Sequence, residues 1–208
     1  TGTSHNAAGF SFDGNSAVLW ELLGREIGDG SIRDDGLLVH IGEAPEVLDS
    51  EVIDCGYSAE SHAKSFAARV SDGLGVKAVA KEKKRQEGDT RRNTWVVSVY
   101  NTAFVRFCQT VLGLTSGTTL DKSFPSAVWR ESIPNRSAFL RGYFDADGTV
   151  SLRSDAVSVR SANVGLLRET YALLRSVGVR AALREASKRV SVLDREAFRD
   201  RVGFTVEY

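Results

Sequence analysis

The sequence predicts an α+β fold built from two αββαββα halves, related by a pseudo-twofold axis and packed through a central pair of helices. Three features of the sequence point to it. An apolar helical pattern ending in Gly and Asp occurs twice, in "LWELLGREIGDGSI" (19–32) and "FLRGYFDADGTV" (139–150). The same succession of strand and helix patterns follows each copy, and repetition of a whole element order fixes connectivity as well as content. Small residues interrupt the apolar stripe at matching places in both copies. The divisions that follow are a flexible lead-in at 1–15, a first half at 16–113, a connecting segment at 114–137 and a second half at 138–208.

The opening stretch "TGTSHNAAGFSFDGNS" is polar and rich in Gly and Ser, and is expected to be poorly ordered. In the second motif Phe139, Leu140, Tyr143 and Phe144 recur at i, i+1, i+4 and i+5, one apolar stripe of a helix. Gly142 stands inside that stripe. A glycine there costs about 1 kcal/mol against alanine, so its use is the close approach of another backbone. Ala146 lies one turn further on. Gly24 and Gly28 match Gly142 and Ala146, and these four residues are the expected helix interface. Gly148, matched by Gly30, is read as a left-handed helix stop.

The strands follow from period-two patterning. "SIRDDGLLVHIG" and "TVSLRSDAVSVRS" each read as two short strands with a tight turn. "SHAKSFAARVSDGLGVKAVAKEK" and "NVGLLRETYALLRSVGVRAALREA" each read as a helix ending near Gly and then a strand. "TWVVSVYNTAFVRFCQTVLGL" and "RVSVLDREAFRDRVGF" each supply a strand and a closing helix. Alternation turns Val150, Leu152, Val157 and Val159 inward and leaves Ser151, Arg153, Ser158 and Arg160 outward.

Asp29 and Asp147 end the two motif helices, where the macrodipole is negative and a carboxylate is disfavoured without a nearby cation. Asp145 has no acidic counterpart, because Ile27 holds its place. A twofold arrangement brings Asp29 and Asp147 to the same end of the helix pair. Two carboxylates and two negative helix ends then repel each other unless divalent cations lie between them.

On these residues the chain resembles the LAGLIDADG homing endonucleases, in the single-chain form with two motifs and of the intein-borne type. "LRGYFDADG" matches the nine-residue signature, "LLGREIGDG" is similar to the first motif of intein-borne members, and "DKSFPSAVWRESIPNRSAFLRG" is similar to their lysine block followed by the second motif. The similarity runs from about Ala17 to Phe204. It implies Mg²⁺ held by Asp29 and Asp147, with Mn²⁺ or Ca²⁺ able to substitute in binding and with the carbonyls of Gly28 and Ala146 as further ligands. It implies that Lys122 polarises water or neutralises charge at a phosphate. A second such lysine is expected after "RVGF", beyond which the chain ends at "TVEY", and Lys188 is the nearest substitute. The implied activity is hydrolysis of both strands of duplex DNA by a monomer, at a long asymmetric site, leaving short 3′ overhangs. A weak or inactive DNA-binding module of the same fold and an RNA maturase are the alternatives. Arg25 and Glu26 depart from the family's pattern and are expected to flank the helix interface. A complete intein would begin with Cys or Ser and end with His-Asn, so self-splicing is not expected between Thr1 and Tyr208.

Net charge is zero, but its distribution is uneven. Residues 1–60 hold 2 Lys/Arg against 12 Asp/Glu, residues 64–106 hold 10 against 4, and residues 130–201 hold 14 against 9. Two basic lobes with an acidic edge can bind phosphate while turning the acidic surface away. "KEKKRQEGDTRRNTW" is the densest basic run, set between two strands as a β-ribbon for the major groove requires. On a DNA-binding β-saddle the candidates are Arg33, His40, Lys77, Lys81, Lys83, Arg91 and Asn93 in the first half. Arg153, Arg160, Arg180, Arg184, Lys188 and Arg189 are their counterparts in the second.

Other chemistry falls away. "DADGTVSLRSDA" places glycine fourth where a calcium loop needs it sixth. His5, His40 and His62 have no zinc spacing, and Cys55 and Cys108 no metal-ligand spacing. No apolar run approaches a membrane span and no signal peptide opens the chain, so the cysteines are expected to be reduced and the protein intracellular.

Overall fold

A computed structural model describes residues 4–7, 10–13, 16–42, 58–84, 94–151 and 156–204. A hairpin of β1 (Ser4–Ala7) and β2 (Phe10–Asp13) comes first. The first half follows as α1 (Ala17–Asp29), β3 (Gly30–Arg33), β4 (Gly36–Gly42), α2 (Ala59–Leu74), β5 (Ala78–Lys83), β6 (Thr94–Tyr100) and α3 (Thr102–Thr110). The second is α4 (Ile133–Asp147), β7 (Gly148–Ser151), β8 (Ala156–Arg160), α5 (Val164–Ser176), β9 (Ala181–Arg184), β10 (Arg189–Val192) and α6 (Arg195–Arg201). The order αββαββα is thus observed twice.

Each half holds a four-stranded antiparallel sheet, ordered β3-β4-β6-β5 in the first and β7-β8-β10-β9 in the second. One face of each sheet is apolar and turned to the helices. Leu37, Val39, Val97 and Val99 are buried in the first, and Val157, Val159, Val190 and Val192 in the second. Except for α1, the helices start where a side chain accepts from an otherwise unsatisfied N–H: Ser58 caps α2, Asn101 α3, Ser132 α4, Asn163 α5 and Asp194 α6.

α1 and α4 pack backbone to backbone. A methyl group added at Gly24 would lie 2.0 Å from the Phe139 carbonyl oxygen, and one at Gly142 would lie 2.0 Å from the Glu21 carbonyl oxygen. The two contacts are reciprocal, as a twofold relation between equivalent residues demands. At the next turn a methyl on Gly28 would meet the methyl of Ala146 at 2.5 Å.

The segment between the halves is tied to both. Asn163 Nδ2 donates to the carbonyls of Thr119, Leu120 and Lys122, and the Phe124 N–H donates to Glu169 Oε2 at 2.8 Å. The Phe124 ring meets Phe139 and Tyr143 edge-on, with centroids 4.7 and 5.4 Å away.

Two expectations need correction. Part of the lead-in is a paired hairpin beside α3 rather than a disordered tail. Its short "FSFD" alternation is a strand pattern that the surrounding Gly and Ser obscure. Gly148 is not left-handed: its φ is −70°, and that of Gly30 is −118°. The chain passes directly from helix into strand, and glycine is needed there because a side chain would strike the helix itself, at 2.2 Å from Phe144 O and 2.4 Å from Glu26 Cα. Arg25 and Glu26, both on α1, are buried, 3 % and 1 % exposed. Charged groups so placed require internal partners.

Candidate functional site

The paired ends of α1 and α4 set two carboxylates side by side. Asp29 is the last residue of α1 and Asp147 the last of α4. A methyl on Gly28 would lie 3.5 Å from Asp147 Cγ, so the two helix ends are in contact. The Asp147 carboxyl is pushed up to about 6, first by burial and then by the charge of Asp29, against the opposing pull of Lys122. The backbone runs straight into β3 and β7 from these two positions, which fixes the carboxylates at the inner edges of both sheets.

Lys122 reaches this place from the connecting segment. Its ammonium group donates to the carbonyls of Glu26 at 2.6 Å, Ile27 at 3.2 Å and Gly30 at 3.0 Å. The three carbonyls surround the passage from α1 into β3, that of Glu26 also accepting from the Gly30 N–H, and a cation there is favoured by the helix dipole. All three ammonium protons are used. The Glu26 carboxylate lies 3.7 Å away, and burial pushes its pKa up to about 7 although Lys122 pulls it down. Lys188 stands exposed in the turn between β9 and β10, with β8 between that hairpin and β7, and is not among the charges that shift Asp147.

A buried polar network beside the acidic pair was not legible from the sequence. Arg25 Nη2 lies 2.6 Å from Asp145 Oδ2 and donates to His62 Nε2 at 3.0 Å. Glu21 pairs with Arg25 at 3.7 Å and with Arg69, and the Arg25 guanidinium also lies over the Phe66 ring. Burial first, and then Arg25, lower the pKa of His62 to about 4 against the opposing charge of Glu21. A signal did exist. Arg25 stands where the repeat has Tyr143, and Asp145 where it has Ile27, so the repeat breaks twice and with opposite charges.

Register assigns the candidate DNA-contacting residues to faces. In β4 Leu37, Val39 and Ile41 are buried against the helices, which leaves Leu38 and His40 on the other face. Their cross-strand partners Ser98, Val79, Val96 and Lys81 share that face, as do Lys83 with Thr94 and Arg33 with Gly36. Lys77 precedes β5 in the same alternation and is exposed. His40 feels the charges of Asp29 and Lys83, and burial is the main cause of its lowered pKa. Tyr100, 55 % exposed and opposite Gly36, belongs to this face and is not among the candidates drawn from the sequence.

In the second sheet Arg160, Arg189 and Arg184 pair across β8, β10 and β9 on the face away from Val159 and Val190. Arg180 is exposed and lies 3.5 Å from Asp194. Arg91, Asn93 and Arg153 lie outside the described residues. Cys108 is buried and free, and burial raises its pKa. Among the described residues no helix is long and apolar enough to cross a membrane, and no three His, Cys, Asp or Glu side chains cluster as a metal site.

Comparison with known proteins bears on this geometry. The sequence model of the LAGLIDADG-like domain family matches residues 134–202. Beyond that stretch the LAGLIDADG fold extends across the chain. The structure of I-DmoI in complex with DNA and Mn superposes with a TM-score of 0.54 over 90 % of this chain and 96 % of that one, at 18 % identity. Mesophilic variants of the homing endonuclease I-DmoI give a TM-score of 0.57 over 90 % and 95 %, also at 18 % identity. The N-terminal LAGLIDADG domain of DUF199/WhiA gives 0.51 over 90 % and 82 %, at 14 % identity. A probable translation initiation factor IF-2 from Thermococcus kodakarensis is 36 % identical over 75 residues, which are 34 % of this chain and 7 % of that protein.

Proposed function

We propose that this chain is a divalent-metal-dependent endonuclease that cuts both strands of duplex DNA at a long asymmetric site. One observation carries the reading: Asp29 and Asp147 meet at the two negative ends of α1 and α4, and Asp147 is held near 6 by burial and by Asp29. Such mutual repulsion serves no purpose in a fold that only needs to be stable. The donor set suits a hard cation such as Mg²⁺, since it consists of two carboxylates and the nearby carbonyls of Gly28 and Ala146. A bound divalent cation would supply Lewis acidity, making a water nucleophilic and stabilising the leaving oxygen.

This chain's own residues do the rest. Asp29 and Asp147 hold one site for each strand. The open sheet faces grip the duplex on either side, Lys81, Lys83 and the second-half arginines meeting phosphates and base edges. His40, close to Asp29, is placed to orient water or a phosphate oxygen. The domain division, the intein-borne subtype and the monomeric state belong to the same proposal.

A second reading, duplex binding without cutting, is favoured by Lys122, whose three protons are all held by backbone carbonyls. A lysine so engaged has none left for a reacting phosphate. The experiment is incubation of the purified chain with a plasmid library of randomised inserts, with Mg²⁺ and with EDTA, followed by sequencing of the ends. Metal-dependent cuts at one recurring site with short 3′ overhangs support the endonuclease. Selective retention of one duplex without cutting supports the second reading.

A further inference from the structure

The two open sheet faces differ in chemistry. Arg160, Arg189 and Arg184 lie opposite one another on three adjacent strands, at a spacing of about 4.8 Å. Like charges directly opposite in a sheet destabilise it, and none of the three has a carboxylate partner among the described residues. The ion pairs nearby belong to other residues, Arg168 with Glu185 and Arg180 with Asp194. Arg189 Nε is shielded from solvent and unbonded. The adjoining row consists of Thr149, Ser158, Ser191 and Ala182, side chains short enough to leave the guanidiniums standing proud of the sheet.

The first sheet has more aliphatic side chains on its open face. Leu38, Val79 and Val96 are partly exposed there beside His40 and Ser98, and the Lys and Arg side chains of that face stand on its edge strands, Lys81 and Lys83 with the adjoining Lys77 on β5 and Arg33 on β3. An ammonium group is a point charge suited to phosphate. A guanidinium is a fork that fits the O6 and N7 of guanine, and an aliphatic side chain in the major groove meets the thymine methyl.

Resting on the reading of the chain as a duplex-DNA binder, we propose that its halves read arms of unlike composition. The arm under the Arg160–Arg189–Arg184 row carries guanines, and the arm under Leu38, Val79 and Val96 is rich in thymine. The β5 lysines hold the second arm through its phosphates.

The test is selection from a pool of duplexes randomised over a long site, with Ca²⁺ present so that binding is read without cutting. The full chain is compared with Arg189→Ala, Arg184→Ala and Arg189→Lys. The expected wild-type consensus has guanine concentrated in one arm. Each alanine variant should lose roughly tenfold discrimination for guanine at one or two positions of that arm only. Arg189→Lys, which keeps the charge and guards against misfolding as an explanation, should retain affinity and lose the guanine preference. Guanine spread evenly over both arms, or a consensus unchanged in all three variants, would overturn the inference and leave duplex binding standing. Recovery of no duplex by the wild-type chain would overturn the inference and the DNA-binding reading together.

Discussion

The guanidinium of Arg25 and the carboxylate of Asp145 meet at 2.6 Å across the α1–α4 junction, with side chains only 4 % and 7 % exposed. Removing Asp145 takes away the nearest counterion of a buried guanidinium and leaves Glu21 at 3.7 Å, and breaking a buried pair typically costs about 3–5 kcal/mol. Asp145→Ala should lower stability by that amount in urea unfolding. Arg25→Met combined with Asp145→Leu should recover most of the loss, because apolar groups of similar volume replace a buried pair at little cost. A double variant as unstable as the two single changes summed would show that the pair is not a unit.

Gly24→Ala and Gly142→Ala test the helix contact. Alanine favours an isolated helix by about 1 kcal/mol over glycine, so an unconstrained site would gain stability. Here each new methyl would press on a carbonyl of the opposite helix, and overpacking of this kind costs about 1–3 kcal/mol or more. Thermal unfolding should show a fall in Tm for both. A rise in either would mean that the backbones are further apart than described.

Asp29→Asn and Asp147→Asn test the proposed chemistry. Each should abolish double-strand cleavage while duplex affinity in Ca²⁺ or EDTA stays within about threefold, since neither residue lies on the open sheet faces. Full cleavage by either variant would remove that residue from the reacting site.

Lys122→Met separates two roles for one lysine. Loss of the ammonium group removes three hydrogen bonds at the passage from α1 into β3, and any carbonyl left unsatisfied there costs about 1–3 kcal/mol. Both Tm and cleavage should fall if the lysine is a helix cap that positions Asp29. Lost cleavage at unchanged Tm would instead put the ammonium group at the phosphate.

His62 makes stability depend on acid. Its folded-state pKa of about 4 lies below the ordinary histidine value of 6.5, so the unfolded chain takes up the proton first as pH falls. The stabilisation is complete above about 6.5 and is lost as pH falls from there toward 4. The loss should be on the order of 1–2 kcal/mol after allowing for solvent screening of the partly exposed ring. Urea midpoints from pH 7.5 to 4, compared with those of His62→Gln, should show a shallower acid decline in the variant.

The helix pair was legible because a glycine inside an apolar stripe has a cost that only close packing explains, and Asp29 and Asp147 because they occupy repeated places at helix ends. The strands were legible from alternation, as Leu37, Val39 and Ile41 illustrate. Cross-strand neighbours were not. Arg160, Arg189 and Arg184 become a row only when β10 is inserted between β8 and β9, and register is a tertiary property. The Arg25 network escaped for a related reason. Each member alone reads as surface charge, and its meaning lies in partners far along the chain. The conformation of Gly148 was hidden because a sequence records that glycine is needed, not whether φ or crowding is the cause.

The junction between the halves also determines what they can be joined to. Because Arg25 occupies the place of Tyr143 and Ile27 that of Asp145, two first halves facing each other would confront each guanidinium with an isoleucine. Two second halves would leave each Asp145 facing a tyrosine. The first combination would leave the guanidinium with the more distant Glu21 carboxylate of its own helix, and the second would take from Asp145 its 2.6 Å partner, so each half is better matched to the other than to its own copy. A chimera that grafts one half onto a related scaffold must carry both Arg25 and Asp145, or neither.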